Sequence, residues 1–335
     1  MAVMRLLKRG IFFTLISLMV VSLLIVIYGS TSRSNPIGVF STQAESEHAR
    51  VAQADRFVQY LSSSYLEQIV RATSYRSLLA LTNYINDNGI FVTNADAALQ
   101  EAIRMASVNG VPLPEMDDNT LDDRLDELEV EARHGLLLNL SFTVLDVRFY
   151  QDNTTGPWQL GVNATINFTV DAELAQWNKT AAIVTRMDIT GLEDPYWSAH
   201  TDGAFSHIIR PANVSVWDKS MLQGHIRNQT YAESQVAPSF FMRLMDDSGA
   251  SDCCGIEAII DFEALPPPLP VRYNMSYVDY CYFGQLCPGS IPNVNQSLFS
   301  VANISNASYQ FLIEPYHIAF YNLSSDEITQ VFNGT

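Results

Sequence analysis

The sequence predicts an α+β protein built from an N-terminal transmembrane helix, a long amphipathic helix followed by short helices, and an antiparallel β-rich glycosylated head. Three patterns support this fold class. Residues 11–28 form an uncharged, mainly apolar run, helical spacing of apolar residues follows up to about Asn86, and residues 158–171 alternate between apolar and polar. The predicted regions are a cytoplasmic tail and transmembrane helix (1–28), a neck (29–42), a helical region (43–135) and a β-rich extracellular domain (136–335).

The apolar run 11–28 is just long enough to cross a membrane as one helix. Arg5, Lys8 and Arg9 precede it, so the positive-inside rule places the N-terminus in the cytoplasm and the rest of the chain outside the cell. The alternative is a cleaved secretory signal peptide, with the small residues at 30–32 as the cleavage site. The sequence therefore predicts a single-pass protein of the cell membrane, with the membrane as its first partner.

The neck is rich in Gly, Ser and Thr and ends where a capping-box pattern begins, with Thr42 followed by Glu45. The apolar and small residues after it recur at steps of three and four positions. They predict one helix of roughly 65 Å, longer than is usual in a globular protein. Such a helix needs a partner surface that covers its apolar stripe.

Two shorter helices are expected next, each opened by a Thr with an Asp three residues later and each ended near a glycine. They lie between Thr93 and Gly110 and between Thr120 and Gly135. The second helix carries many carboxylates, a composition that also suggests a cation site. Its arginines favour a solvated helix surface with ion pairs instead.

From Leu136 onward the apolar spacing changes from helical to alternating. One face of the segment 158–171 is apolar and the other carries Asn and Thr, as expected for a strand with one buried face. The flanking segments 138–150 and 178–190 are predicted as its neighbours in an antiparallel sheet. The residues expected on the buried face are Leu160, Val162, Ala164, Ile166, Phe168 and Val170.

Asparagines after residue 138 are almost all acceptors for N-linked glycosylation. Thirteen of the fourteen lie in Asn-x-Ser/Thr sequons, whereas roughly two matches are expected by chance. The asparagines before residue 139 include no sequon, so one part of the chain is predicted to carry glycans and the other to lack them. The predicted acceptors are Asn139, Asn153, Asn163, Asn167, Asn178, Asn213, Asn228, Asn274, Asn295, Asn303, Asn306, Asn322 and Asn333.

Four cysteines lie in the part predicted to be exported. An even number in an oxidising compartment indicates disulfides, and three pairings are possible. A four-cysteine zinc site is the alternative, although two adjacent cysteines are poorly spaced for tetrahedral ligands. The disulfide candidates are Cys253, Cys254, Cys281 and Cys287.

Net charge and motifs narrow the classes of function. A net charge of −17 disfavours binding to nucleic acid, because the phosphates would repel the chain. No phosphate-binding Gly loop, nucleophile elbow or His-Glu-x-x-His helix is present. The spacing of His200, Asp202 and His207 fits no common metal motif. The sequence thus predicts no catalytic residue, no cofactor and no metal site.

The N-terminal segment 8–21, KRGIFFTLISLMVV, resembles the class III signal peptide of archaeal type IV pilin-like proteins. In that family a prepilin peptidase cuts after the glycine, which implies cleavage between Gly10 and Ile11. Leu15 stands where many pilins have Glu, and the exported part is large for a major pilin. The resemblance therefore implies a minor subunit that assembles through its N-terminal helix, with other pilin-like subunits and the pilus assembly machinery as partners.

Four later blocks also resemble segments of uncharacterised archaeal pilin-like surface proteins and occur in a consistent order. They are DITGLEDPYW (188–197), APSFFMRLM (237–245), GIEAIIDF (255–262) and YVDYCYF (277–283).

Three functions are considered on these grounds. The first is a non-enzymatic, membrane-anchored, N-glycosylated surface protein that serves as a minor pilin-like subunit. The second is a membrane-tethered adhesin or envelope-binding protein that does not polymerise, for which an exposed aromatic patch without sequons would be typical. The third is a type II membrane glycosyltransferase, which the absence of an Asp-x-Asp pair and of βαβ units disfavours.

Overall fold

The computed structural model describes residues 42–261, 276–284, 297–301, 309–313, 315–323 and 328–331. These ranges contain both helices and antiparallel sheets, which confirms the α+β class. Within the described residues, no helix combines the length and the apolar character needed to cross a membrane. The predicted transmembrane helix at 11–28 and the neck up to residue 41 lie outside the described residues.

The first helix, α1, extends slightly further than the sequence predicts and ends at Asn88 instead of about Asn86. It is α-helical over Thr42–Tyr60, forms one π turn over Leu61–Tyr65, and is α-helical again over Leu66–Asn88. The π turn keeps the apolar stripe on one face, because the buried positions change there from steps of three and four to one step of five, from Leu61 to Leu66. Gly89, with φ of 65°, ends the helix in the left-handed conformation.

The two shorter helices are α2 (Ala95–Met105) and α3 (Leu121–Glu131). The predicted cap of α3 is confirmed, since Thr120 and Asp123 form both hydrogen bonds of a capping box. The predicted cap of α2 was wrong by one residue, because Asn94 and not Thr93 accepts the N–H of Ala97. Asp96 does not complete a capping box there. Its carboxylate accepts the backbone N–H of Phe149 in the sheet at 2.8 Å.

Short elements join these helices to each other and to the sheet. They are β1 (Ser107–Val108), β2 (Val111–Pro112), a 3-10 turn (Pro114–Met116) and a second π turn (Ala132–Leu136).

Three long antiparallel strands form the predicted sheet: β3 (Asn139–Tyr150), β4 (Gln159–Asp171) and β5 (Gln176–Asp188), in the order β3-β4-β5. The alternation predicted for β4 is confirmed. A bulge between Val144 and Asp146 shifts the alternation of β3 by one residue. All six positions predicted to face inward are buried: Leu160, Val162, Ala164, Ile166, Phe168 and Val170.

The helical region covers the inner face of this sheet. Leu78 of α1 and Leu99 of α2 belong to the same buried apolar cluster as Val147 of β3 and Ile166 of β4. The long helix therefore buries its stripe against the head. The predicted boundary at residues 135 and 136 marks a change of secondary structure, while the hydrophobic core continues across it.

The chain after β5 consists of short elements connected by turns, and a second buried cluster joins several of them. The helices are α4 (Pro195–His200), α5 (Lys219–Arg227), α6 (Phe240–Arg243), α7 (Asp279–Phe283) and α8 (Pro315–Phe320). The strands are β6 (Ala232–Glu233), paired with β7 (Ile256–Glu257), and β8 (Ser297–Val301), which lies between β9 (Tyr309–Ile313) and β10 (Ile328–Val331).

A glycine in β4 provides a test of the sheet. Gly161 lies opposite Tyr150, and a Cβ at residue 161 would overlap the tyrosine ring. We expect Gly161→Ala to lower the free energy of unfolding by about 1–3 kcal/mol, because the ring must leave its position. The control is Gly135→Ala, since a Cβ at residue 135 meets no atom within 4 Å. Equal stability of the two variants in urea unfolding would contradict this packing.

Candidate functional site

The predicted glycan acceptors that the structure describes lie at the surface. The side chains of seven are exposed and that of Asn167 is half-buried. An oligosaccharyl transferase needs an accessible asparagine, and this condition is met at the exposed positions. The exposed acceptors are Asn139, Asn153, Asn163, Asn178, Asn213, Asn228 and Asn322. Five further acceptors lie outside the described residues: Asn274, Asn295, Asn303, Asn306 and Asn333.

Four acceptors share the outer face of the three-stranded sheet. Asn163 and Asn167 lie on β4 with their side chains on the face opposite the core, about 13 Å apart along the strand. Asn178 is paired with Thr169 and Asn139 with Asp171. Thr169 and Asp171 lie on the outer face of β4, so the side chains of Asn178 and Asn139 lie on that face too. The helices occupy the inner face, and the predicted glycans would occupy the outer one.

The cysteines form disulfides in the described part of the chain. Cys253 is bonded to its neighbour Cys254, and Cys281 of α7 is also disulfide-bonded. Cys287 lies outside the described residues. The predicted processing residues Gly10 and Ile11 also lie outside them.

The four later sequence blocks meet at one buried ionic network. Arg243 of α6 lies between two carboxylates, with 2.8 Å from Nη1 to Oδ2 of Asp194 and 2.8 Å from Nη2 to Oδ2 of Asp279. Nη2 also donates to the backbone carbonyl of Ile256 at 2.6 Å. All three charged side chains are 0% exposed. A guanidinium is suited to this position, because its planar fork directs several donors at once.

Aromatic side chains complete this network. Tyr231 donates its hydroxyl to Asp194 Oδ2 at 2.7 Å, and the indole N–H of Trp197 donates to Asp279 Oδ2 at 3.1 Å. The rings of Tyr196 and Tyr231 lie 5.2 and 5.6 Å from the guanidinium carbon, within cation–π distance. The buried charges are therefore surrounded by groups that replace water.

The pKa values in this network follow from burial and from the opposite charges. Burial acts to lower the pKa of Arg243, but attraction to Asp279 and Asp194 outweighs it and raises that pKa. Burial raises the pKa of Asp279, and the guanidinium opposes this shift. The network carries one positive charge between two carboxylates, so its stability depends on Arg243.

A second buried contact between polar side chains lies beside the first network. His317 Nε2 is 3.0 Å from Glu257 Oε2, and the hydroxyl of Tyr321 donates to Glu257 Oε1 at 2.7 Å. Burial acts to raise the pKa of Glu257, but attraction to His317 and hydrogen bonds from His317 and Tyr321 outweigh it and lower that pKa. Glu257 belongs to the block at 255–262, so this pair and the first network share one segment.

Two further histidines are buried without an ion pair among the described residues. His207 stacks on Trp197, with ring centroids 4.3 Å apart, and His225 Nδ1 lies 2.8 Å from Thr230 Oγ1. Burial lowers the pKa of His207 to about 3 and that of His225 to about 4. Both rings are therefore neutral at pH 7.

The three residues considered for metal binding do not converge. His200 Nε2 lies 2.8 Å from Asp246 Oδ1, His207 stacks on Trp197, and Asp202 is exposed. In the described ranges, no group of three or more His, Cys, Asp or Glu side chains could hold a metal ion. The buried ionic groups connect segments that are distant in sequence. Because these side chains are fully buried, they do not form a surface that a substrate could contact.

Local sequence patterns do not identify the residues of the buried network, although one feature indicates them. Asp194, Arg243, Glu257 and Asp279 are each a charged residue inside a block that is otherwise mainly apolar or aromatic. Charged side chains are rarely buried unless they are paired. Several such residues in separate apolar blocks predict that some of them pair with each other.

Comparison of the chain with protein-family models, with curated proteins and with solved structures finds no match.

Proposed function

We propose that the protein is a non-enzymatic, membrane-anchored, N-glycosylated extracellular surface protein that serves as a minor pilin-like subunit and assembles through its N-terminal helix. The observation that carries this proposal is the one-sided distribution of glycan acceptors. The outer face of the sheet carries four of them, whereas α1, α2 and α3, which cover the inner face, carry none. Glycans on one side leave the helical side accessible to the membrane or to neighbouring subunits.

Burial of the ionic groups supports the part of this proposal that the protein is not an enzyme. Arg243, Asp194 and Asp279 are fully buried, and Arg243 is paired with both carboxylates. A catalytic group must reach the reacting atoms of a substrate. These side chains are better explained as the connection that holds the segments after β5 together.

A membrane-tethered adhesin is the second candidate, because aromatic side chains group near the surface of the head. Tyr316 is 39% exposed and stacks on Phe320. The ring centroids of Phe320 and Trp217 are 6.3 Å apart. Aromatic groups at a surface are typical of binding sites. The side chain of Asn322, a predicted glycan acceptor, donates to the carbonyl of Trp217. The group therefore does not meet the condition of a patch without sequons, and a glycan there would compete with a ligand.

Mass analysis of the protein from native envelopes tests the proposal. We expect a mature chain that begins at Ile11, with sugar mass on several exposed acceptors, including at least one of Asn139, Asn163 and Asn178. A chain that begins at Met1 or Ala2 and carries the same sugars would reject the processed pilin and retain an anchored surface glycoprotein. A chain without sugar on any acceptor would reject the surface-glycoprotein proposal itself.

A further inference from the structure

The disulfide between adjacent cysteines lies in a loop that is fixed on both sides. The hydroxyl oxygen of Ser251 accepts the N–H of Cys254 at 3.2 Å, and the N–H of Ser251 donates to the carbonyl of Ala237 at 2.9 Å. A Cβ at Gly255 would overlap the carbonyl oxygens of Ser234 and Ala237. The disulfide therefore lies on a well-packed support.

Chain entropy does not explain this bond. A disulfide stabilises a fold mainly by restricting the unfolded chain, and the effect grows with the length of the loop that it closes. Cys253 and Cys254 are adjacent in sequence, so they close the smallest loop possible. A role other than crosslinking distant segments is needed.

The two cysteine residues differ in exposure. Cys253 is half-buried, whereas Cys254 is 0% exposed. Cys254 Sγ lies 3.1 Å from the backbone carbonyl oxygen of Asp152 in the turn between β3 and β4. This oxygen also accepts the N–H groups of Thr155 and Gly156 at 3.0 Å. In a reduced protein it would be the acceptor within reach of the S–H of Cys254.

We propose that Cys253 and Cys254 form a reversible two-electron redox site that reacts with small dithiols. A thiolate of the dithiol attacks Sγ of Cys253, which breaks the bond to Cys254 and forms a mixed disulfide. The released thiolate of Cys254 takes up a proton from solvent, and its S–H points to the carbonyl oxygen of Asp152. The second thiolate of the reagent then attacks the reagent sulfur that is bonded to Cys253, and the released thiolate of Cys253 takes up the second proton. The reagent is oxidised to a cyclic disulfide, and the protein gains two electrons and two protons.

Timed reduction of the full folded chain with dithiothreitol, followed by alkylation and peptide mass spectrometry, tests this site. We expect Cys253 and Cys254 to be reduced at least tenfold faster than Cys281, which is only 2% exposed, and to be reoxidised by glutathione disulfide after the dithiothreitol has been removed. Near-UV circular dichroism must stay native during the reaction. Reduction of Cys281 first, reduction only after loss of the native spectrum, or failure to reoxidise would each overturn the proposal.

Two single variants test which sulfur is attacked. In Cys254→Ser the remaining Cys253 thiol should be alkylated at least tenfold faster in the folded protein than the remaining Cys254 thiol in Cys253→Ser. The reason is that Cys254 is fully buried. The reverse order, or equal rates in two variants with native spectra, would contradict attack at Cys253.

Discussion

Replacing Arg243 with methionine is expected to lower the free energy of unfolding by about 3–5 kcal/mol, the largest effect of any single substitution considered for this protein. Methionine has a similar length and keeps the apolar contacts of the side chain. The substitution removes the cation between Asp194 and Asp279 and leaves two carboxylates buried without a counter-charge. It also removes the donor to the carbonyl of Ile256. Urea unfolding at pH 7, followed by circular dichroism, measures the effect.

Two controls separate the buried network from a general effect of removing an arginine. Arg71 is exposed on α1, and Arg71→Met should change stability by less than about 0.5 kcal/mol. Adding Asp194→Asn and Asp279→Asn to Arg243→Met removes the uncompensated charges and should recover part of the loss. If Arg243→Met and Arg71→Met unfold at the same urea concentration, the network does not stabilise the fold as described.

Local patterns predicted the parts of the fold that depend on neighbouring residues. The alternation of β4 and the capping box of Thr120 and Asp123 were predicted because each is fixed within one strand or one helical turn. The cap at Asn94 was missed because Asp96 bonds instead to the N–H of Phe149, a contact between residues distant in sequence. Local spacing carries no information about such a partner.

Long-range pairing explains why the buried network was not predicted. Arg243 contacts Asp194 and Asp279, which lie 49 residues before it and 36 after it in the sequence. The apolar character of each block indicated burial, but the identity of each partner depends on how the loops after β5 fold. The bulge in β3 was not predicted either. Leu145 at the bulge is 55% exposed, although one face of the strand is buried.

Packing of the helical region narrows the explanation of the sequon distribution. A helical region without sequons can be explained by contact with other subunits, with the membrane or with the head. Leu78 of α1 and Ile166 of β4 share one core, so contact with the head accounts for the buried stripe of the helix. The outer side of α1 includes the exposed residues Arg56, Glu67, Arg71 and Tyr75. Assembly through neighbouring subunits would have to use this outer side or the N-terminal segment.

Acidification is expected to destabilise the protein strongly, because two histidines are buried as neutral rings. The pKa of His207 is lowered to about 3 and that of His225 to about 4, whereas each would be about 6.5 in the unfolded chain. Below pH 6.5 the unfolded state therefore binds more protons than the folded state, and the free energy of unfolding falls as pH falls. At pH 5 the loss is about 2 kcal/mol for each histidine, or about 4 kcal/mol for both. The loss continues until the pH reaches the folded-state pKa values.

Replacing His207 with phenylalanine isolates half of this effect. Phenylalanine can keep the stack on Trp197, and neither ring nitrogen of His207 has a hydrogen-bond partner in the described part of the chain. We therefore expect His207→Phe to be at least as stable as the natural protein at pH 8 and to lose about 2 kcal/mol less between pH 8 and pH 5. His48 is exposed on α1, and His48→Gln should leave the pH dependence unchanged. An identical pH dependence in His207→Phe and the natural protein would contradict this account. It would mean that the pKa of His207 is the same in the folded and unfolded states, because only a ring that stays neutral in the folded state can produce the difference.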